Sequence, residues 1–260
     1  MRPDIQPPII KCMIRLSGVV LLISLVALTS LASETQKGAI VFREEVTAAH
    51  RQQLAEKLRA ITGWSELSFA ANGSLSCGRS ISTKGSSTAR RLISETLDSA
   101  TVLILEDASE RPDVVFAKVV PGKWQDSAQS RPVFVVLIDF ADFDHLMGDR
   151  QALEAFNVGW SLLHEIDHVT NDSEDSEVLG HVGECENHIN QMRRECHLPA
   201  RLDYFFDFFP AAQHNDFRTR LVRLAFDQID NSKKHRRVWV IWDARQVGGL
   251  ESSKQLATLR

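Results

Sequence analysis

The fold of this chain hinges on residues 158–169, Val158-Gly159-Trp160-Ser161-Leu162-Leu163-His164-Glu165-Ile166-Asp167-His168-Val169. Val158, Leu162, Ile166 and Val169 recur at helical spacing and no proline interrupts them, so a helix is predicted from Gln151 to Val169. On a helix, residues four apart lie one above the other. His164 and His168 can therefore present two imidazole nitrogens to one ion about 2.0–2.1 Å away. Glu165 follows the first histidine, which places its carboxylate beside the open coordination position. A metal lowers the pKa of bound water from 15.7 to about 7, so a weak base next to it suffices for hydrolysis at neutral pH.

A catalytic site of this kind uses three protein ligands and one water. A second helix is predicted from Glu184 to Cys196, stopping before Pro199. Its first turn offers Glu184 and Glu186, 16 and 18 residues after His168. Glu186 lies further inside the helix and shares a face with Asn190 and Arg193. Either glutamate could equally be the ordinary acidic residue of a helix N-terminus.

His164-Glu165-Ile166-Asp167-His168 with a glutamate on the next helix resembles the gluzincin arrangement of the HExxH zinc metallopeptidases. The resemblance implies Zn2+ held by His164, His168 and Glu186 or Glu184, with Glu165 as general base. It also implies a zincin-like domain and a peptide or protein substrate. The stretch Gly183-Glu184-Cys185-Glu186-Asn187-His188-Ile189-Asn190-Gln191-Met192-Arg193-Arg194-Glu195-Cys196-His197-Leu198-Pro199-Ala200-Arg201 adds a Glu-Asn pair, an Arg-rich turn and a terminal Leu-Pro. It is similar to the helix that follows HExxH in some bacterial effector-type and toxin-type metallopeptidases, over roughly residues 155 to 205.

Two other zinc families are approached and missed. The metzincin pattern would want Gly at Asn171 and His or Asp at Glu174; Asn tolerates the left-handed conformation, but Glu174 is the wrong ligand type. The HExDH form resembles peptide deformylases, where a cysteine is the third ligand. Cys77 lies 87 residues before His164, far from that pattern.

Around the motif, Tyr204 is the only tyrosine and could donate a hydrogen bond to a developing oxyanion, or simply belong to an aromatic segment with Phe205, Phe206, Phe208 and Phe209. Arg193, Arg194 and Arg201 could bind a carboxylate, although basic residues on an amphipathic helix ordinarily face solvent. His181, His188 and His197 are expected at the surface. Asp172, Glu174, Asp175 and Glu177 read as a solvated acidic loop without the spacing of a calcium loop. Asp167 or Asp172 could orient a ligand imidazole.

Elsewhere, apolar spacing predicts helices over Val46–Ile61 and Ser87–Leu97, and a hairpin near Asn72-Gly73. Val-, Ile- and Phe-rich runs at Thr101–Leu105, Val114–Val120 and Val133–Ile138 predict a small sheet, and Thr219–Phe226 with Arg237–Trp242 a terminal hairpin. The mixture lacks strict βα alternation, which favours an α+β fold in a single domain over residues 34–260.

Residues 1–32 differ from the rest. Lys11 and Arg15 precede an uncharged run from Leu16 to Ala32 ending in Ser30-Leu31-Ala32, the form of an export signal; a run of about 17 apolar residues also suits an uncleaved membrane anchor. The chain is therefore expected to be exported, periplasmic or extracellular. Its net charge is −4, and removing residues 1–32 leaves 27 basic residues against 33 acidic, which argues against a nucleic-acid partner. Cys77, Cys185 and Cys196 remain, an odd number. Cys185 and Cys196 would lie about 16 Å apart on one helix, too far to bridge. A disulfide through Cys77 and three reduced thiols are both compatible with the sequence.

Overall fold

The computed structural model describes residues 37–78, 80, 84–109, 111–123, 131–208, 221–229 and 232–248. The expected export signal lies outside these residues. In chain order the elements are β1 (Ala39–Phe42), α1 (Ala48–Thr62), β2 (Ser68–Phe69), β3 (Leu75–Ser76), α2 (Ser87–Asp98), β4 (Val102–Asp107), β5 (Ala117–Pro121) and β6 (Val133–Ile138). They continue with α3 (Phe140–Asp144), β7 (Met147–Gly148), α4 (Arg150–Ala155), α5 (Val158–Asn171), α6 (Gly183–Glu195), β8 (Ala200–Arg201), β9 (Asp207–Phe208), β10 (Leu221–Ile229) and β11 (His235–Asp243). The fold is α+β.

The first sheet has the order β1-β4-β6-β5, with β1, β4 and β6 parallel and β5 antiparallel at one edge. Its central strands read as continuous apolar runs because both faces are covered. Ile40, Phe42, Leu103, Leu105, Val136 and Ile138 pack against Leu54, Leu58 and Ile61 of α1, Leu92 and Ile93 of α2, and Leu162, Leu163 and Ile166 of α5. Val102, Ile104, Val133, Val135 and Leu137 bury the other face. Gly159 lets α5 approach α1: a Cβ there would lie 2.8 Å from the Lys57 Cβ and 2.9 Å from Ile61 Cδ1.

The second sheet is antiparallel, ordered β7-β11-β10-β8, with β9 also pairing with β10. Here it is burial that alternates along each strand, as it must where one face is covered. Val222, Leu224 and Phe226 of β10 and Val238, Val240 and Trp242 of β11 are buried with Ala152, Ala155 and Phe156.

One expectation is corrected, and one alternative is resolved. The helix predicted from Gln151 to Val169 is two helices, because Phe156 is extended and Asn157 caps α5, its side chain accepting from the Gly159 amide at 3.0 Å. Cys77, Cys185 and Cys196 are all free thiols. Among the described residues, no helix is long and apolar enough to cross a membrane.

Candidate metal centre

α5 carries His164 and His168 near its C-terminal end, packed on the core through Leu162, Leu163 and Ile166. Their Nε2 atoms lie 3.1 Å apart. After Asn171 the chain turns through Asp172 in the left-handed conformation, φ 53°, and runs back along the helix end. This return brings Asp175 to the histidines, with Oδ1 3.1 Å from His164 Nε2 and Oδ2 3.4 Å from His168 Nε2. Asp175 is bridged to Gly183 at the start of α6, where φ is +79° and a Cβ would sit 2.4 Å from the Ser176 amide nitrogen. Only glycine fits there without displacing the backbone that presents Asp175.

The Nδ1 atoms face away from this meeting point, and each has its own partner. His168 Nδ1 donates to the Ser173 carbonyl at 2.7 Å. His164 Nδ1 faces Cys185 Sγ at 3.3 Å and Glu186 Oε2 at 3.4 Å. Such partners fix the tautomer that leaves Nε2 available to an ion.

Do these groups fit a metal? Ligands 2.0–2.1 Å from a tetrahedral ion lie about 3.3–3.4 Å from one another. His164 Nε2 lies 3.1 Å from His168 Nε2 and 3.1 Å from Asp175 Oδ1, close to that, while His168 Nε2 meets the other carboxylate oxygen, Oδ2, at 3.4 Å. Asp175 Oδ1 is buried without a hydrogen bond of acceptable geometry, an acceptor that a cation would satisfy. Two imidazoles and a carboxylate form a donor set suited to zinc. Cys185 completes a group of four whose ligand atoms lie within 4.8 Å of one another, although its sulfur sits on the Nδ1 side of His164.

Glu165 is 8% exposed, and its Oε2 accepts from the Val119 amide of β5 at 2.8 Å. Burial raises its pKa, against the pull of the two histidines. The Tyr204 hydroxyl donates to Asp175 Oδ2 at 2.6 Å, and its ring stacks on His164 at 6.2 Å. It is therefore committed to the carboxylate rather than held ready for an oxyanion.

Neither glutamate expected as third ligand reaches the Nε2 atoms. Glu184 is exposed. Glu186 is 1% exposed and pairs with Arg193 and, at 3.1 Å, with Arg201. Burial acts to raise its pKa, but the two guanidinium groups outweigh burial and hold the carboxylate ionised well below its usual range. The arginines thus face inward, contrary to expectation: Arg193 is 2% exposed and also donates to the Ala155 carbonyl. Arg194, His181 and His197 are exposed, as expected, while His188 donates to Asp167 Oδ2 at 2.8 Å.

Asp175 and Cys185 escaped the sequence reading. Asp172, Glu174 and Glu177 of the acidic segment are exposed, and Asp175 alone turns inward. The available signal was the near-match to the metzincin spacing, since Asp175 stands one residue beyond the position where that pattern wants its ligand. A cavity of about 240 Å³ adjoins His164, Glu165 and Tyr204. Compared with protein-family models, with curated proteins and with solved structures, the chain matches none.

Proposed function

We propose that this chain is an exported zinc-dependent hydrolase of zincin-like type, most simply a metallopeptidase, with Zn2+ held by His164, His168 and Asp175. The observation that carries the reading is the convergence of His164 Nε2, His168 Nε2 and an otherwise unsatisfied Asp175 carboxylate oxygen beside the buried Glu165. Bound zinc would supply Lewis acidity, polarising a carbonyl oxygen and acidifying a water molecule. Glu165 takes the proton of the attacking water at Oε1, the oxygen not engaged by Val119, and returns it to the leaving amine nitrogen. Its raised pKa suits both halves of that transfer. Tyr204 holds Asp175, and Glu186 with Cys185 orients His164 from behind.

Elemental analysis tests the ligand set. About one zinc per chain is expected in the wild type and in Glu184→Ala, with loss in His168→Ala and Asp175→Ala. Glu165→Gln is expected to keep zinc and lose cleavage of a fluorogenic peptide mixture. A wild type that cannot be loaded with zinc would sink the reading.

Cys185 supports a second reading, a non-catalytic zinc-binding protein whose fourth ligand is the thiolate, since closed sites lack an open position. Cobalt substitution separates the two: a sulfur-to-cobalt charge-transfer band that disappears in Cys185→Ser belongs to the closed site.

A further inference from the structure

The cavity next to the candidate centre is walled by rings. Phe116, Phe156, Trp160, Phe206, Leu224 and Trp242 line it, and it shares His164, Glu165 and Tyr204 with the centre. At about 240 Å³ it falls below the roughly 300–1,000 Å³ of sites that take whole small molecules, and it suits a single side chain. Phe116 meets Phe156 at 87° and Trp242 at 86°, the edge-to-face geometry that aromatic rings favour.

The wall is held under strain. Phe116 has φ 65°, a left-handed conformation that is a genuine outlier for a bulky residue. Its amide donates to Asp142 Oδ2 at 2.8 Å and its carbonyl accepts from the Asp139 amide at 2.9 Å, so both carboxylate-bearing neighbours pin the turn that aims the ring. The guanidinium groups that also line the cavity are already committed. Arg201 donates to Glu186 and to the carbonyls of Asp203 and Tyr204, and Arg193 donates to Glu186, Asn190 and Ala155. An acidic side chain would find no unpaired guanidinium to meet it.

We propose that this cavity is the specificity pocket of the hydrolase and takes a large apolar side chain, aromatic in preference, from the residue beside the cleaved bond. The proposal rests on the metallopeptidase reading above. It selects peptides by a ring next to the scissile amide, and it disfavours Ala, Asp and Lys there.

The test uses the zinc-loaded chain and fluorogenic peptides that differ only in the residues flanking the central bond. At one flanking position, Phe is expected to exceed Ala at least tenfold in kcat/KM, within the range that apolar pockets discriminate. Ala117 lines the same cavity from β5, and Ala117→Val narrows it with a residue that a strand tolerates. That variant is expected to bring the Phe preference down to about twofold with its zinc content unchanged. Phe206→Ala provides an independent change in wall shape. A binding readout runs in parallel on metal-free chain: N-acetyl-L-phenylalaninamide is expected to change the fluorescence of Trp160 and Trp242, more weakly in Ala117→Val. A preference for Ala, Asp or Lys, or a Phe preference and fluorescence response indifferent to both variants, overturns the pocket while leaving the zinc site standing. A chain without zinc overturns the hydrolase reading instead, and metal content reports that separately.

Discussion

Asp167 ties the candidate ligands together without touching an ion position. It is fully buried, and its two oxygens accept from Asn171 at 2.6 Å, Ser173 Oγ at 2.6 Å and His188 at 2.8 Å. Ser173 in turn offers its carbonyl to His168 Nδ1. Asp167→Asn is therefore expected to lower zinc affinity about 10–100-fold without removing a ligand, measured by competition against a chromophoric chelator. An affinity equal to wild type would strip Asp167 of this role. The same residues show what was readable from sequence. His164, Glu165 and His168 were legible because their juxtaposition follows from helical spacing alone. Asp175 was not, because its inward turn depends on the left-handed Asp172, on the Asp167 anchor and on the glycine across from it at position 183. Glu186 misled for the converse reason: its partners Arg193 and Arg201 turn inward, and only the packing of α6 reveals that.

α6 ends by capping another element. Glu195 accepts from Ser86 Oγ at 2.7 Å, the Thr88 amide at 3.0 Å and Thr88 Oγ1 at 2.5 Å, all at the start of α2. A carboxylate at a helix N-terminus is stabilising, whereas at the end of its own helix it is not. Burial tends to raise its pKa, but the bonds from Thr88 and Ser86 prevail and lower it from 4.5 to about 2. Because the folded value is the lower one, the stabilisation is present above pH 4.5 and is lost as pH falls toward 2. Glu195→Gln is expected to cost about 1–2 kcal/mol at pH 7, by urea denaturation, and much less at pH 3. Asp142, at the start of α3, has the opposite sign. Burial pushes its pKa from 3.8 up to about 7, against the bond from the Phe116 amide. Its contribution is complete below pH 4 and is lost as pH rises through 7, so Asp142→Asn should gain stability relative to wild type between pH 5 and 8. An unchanged difference across that range would contradict the buried, protonated carboxyl. Neither pairing was visible in sequence, since the partners are 107 and 26 residues apart. The longer strands β4, β6, β10 and β11 and the helices α1, α2 and α6 were visible, because their periodicities are local, whereas β1, β7, β8 and β9 were not.

At the scale of the molecule, the ion and the fold share one free energy. Zinc at 100 times its dissociation constant would add about 2.7 kcal/mol to stability. For a chain of this size that corresponds to a rise in Tm of roughly 5–10 °C. A calorimetric scan with and without zinc is expected to show it, and Asp175→Ala to abolish it. The α+β class was legible because helical and strand-type apolar patterns coexist along the chain without strict βα alternation. The antiparallel placement of β5 was not, since its pairing with β6 depends on contacts that neither strand specifies alone.

His164, His168 and Asp175 fall within twelve residues, whereas Leu224 and Trp242 on the cavity wall follow some 50–70 positions later. The loop that gathers the three donors is short, so closing it costs little entropy. During synthesis the donor trio leaves the ribosome complete well before the hairpin of β10 and β11 exists. Affinity for an ion and choice of a side chain thus have separate birthdays in the life of each molecule, the first set by α5, its return loop and the segment from Gly183 to Tyr204 that braces Asp175, the second by the last strands to dock.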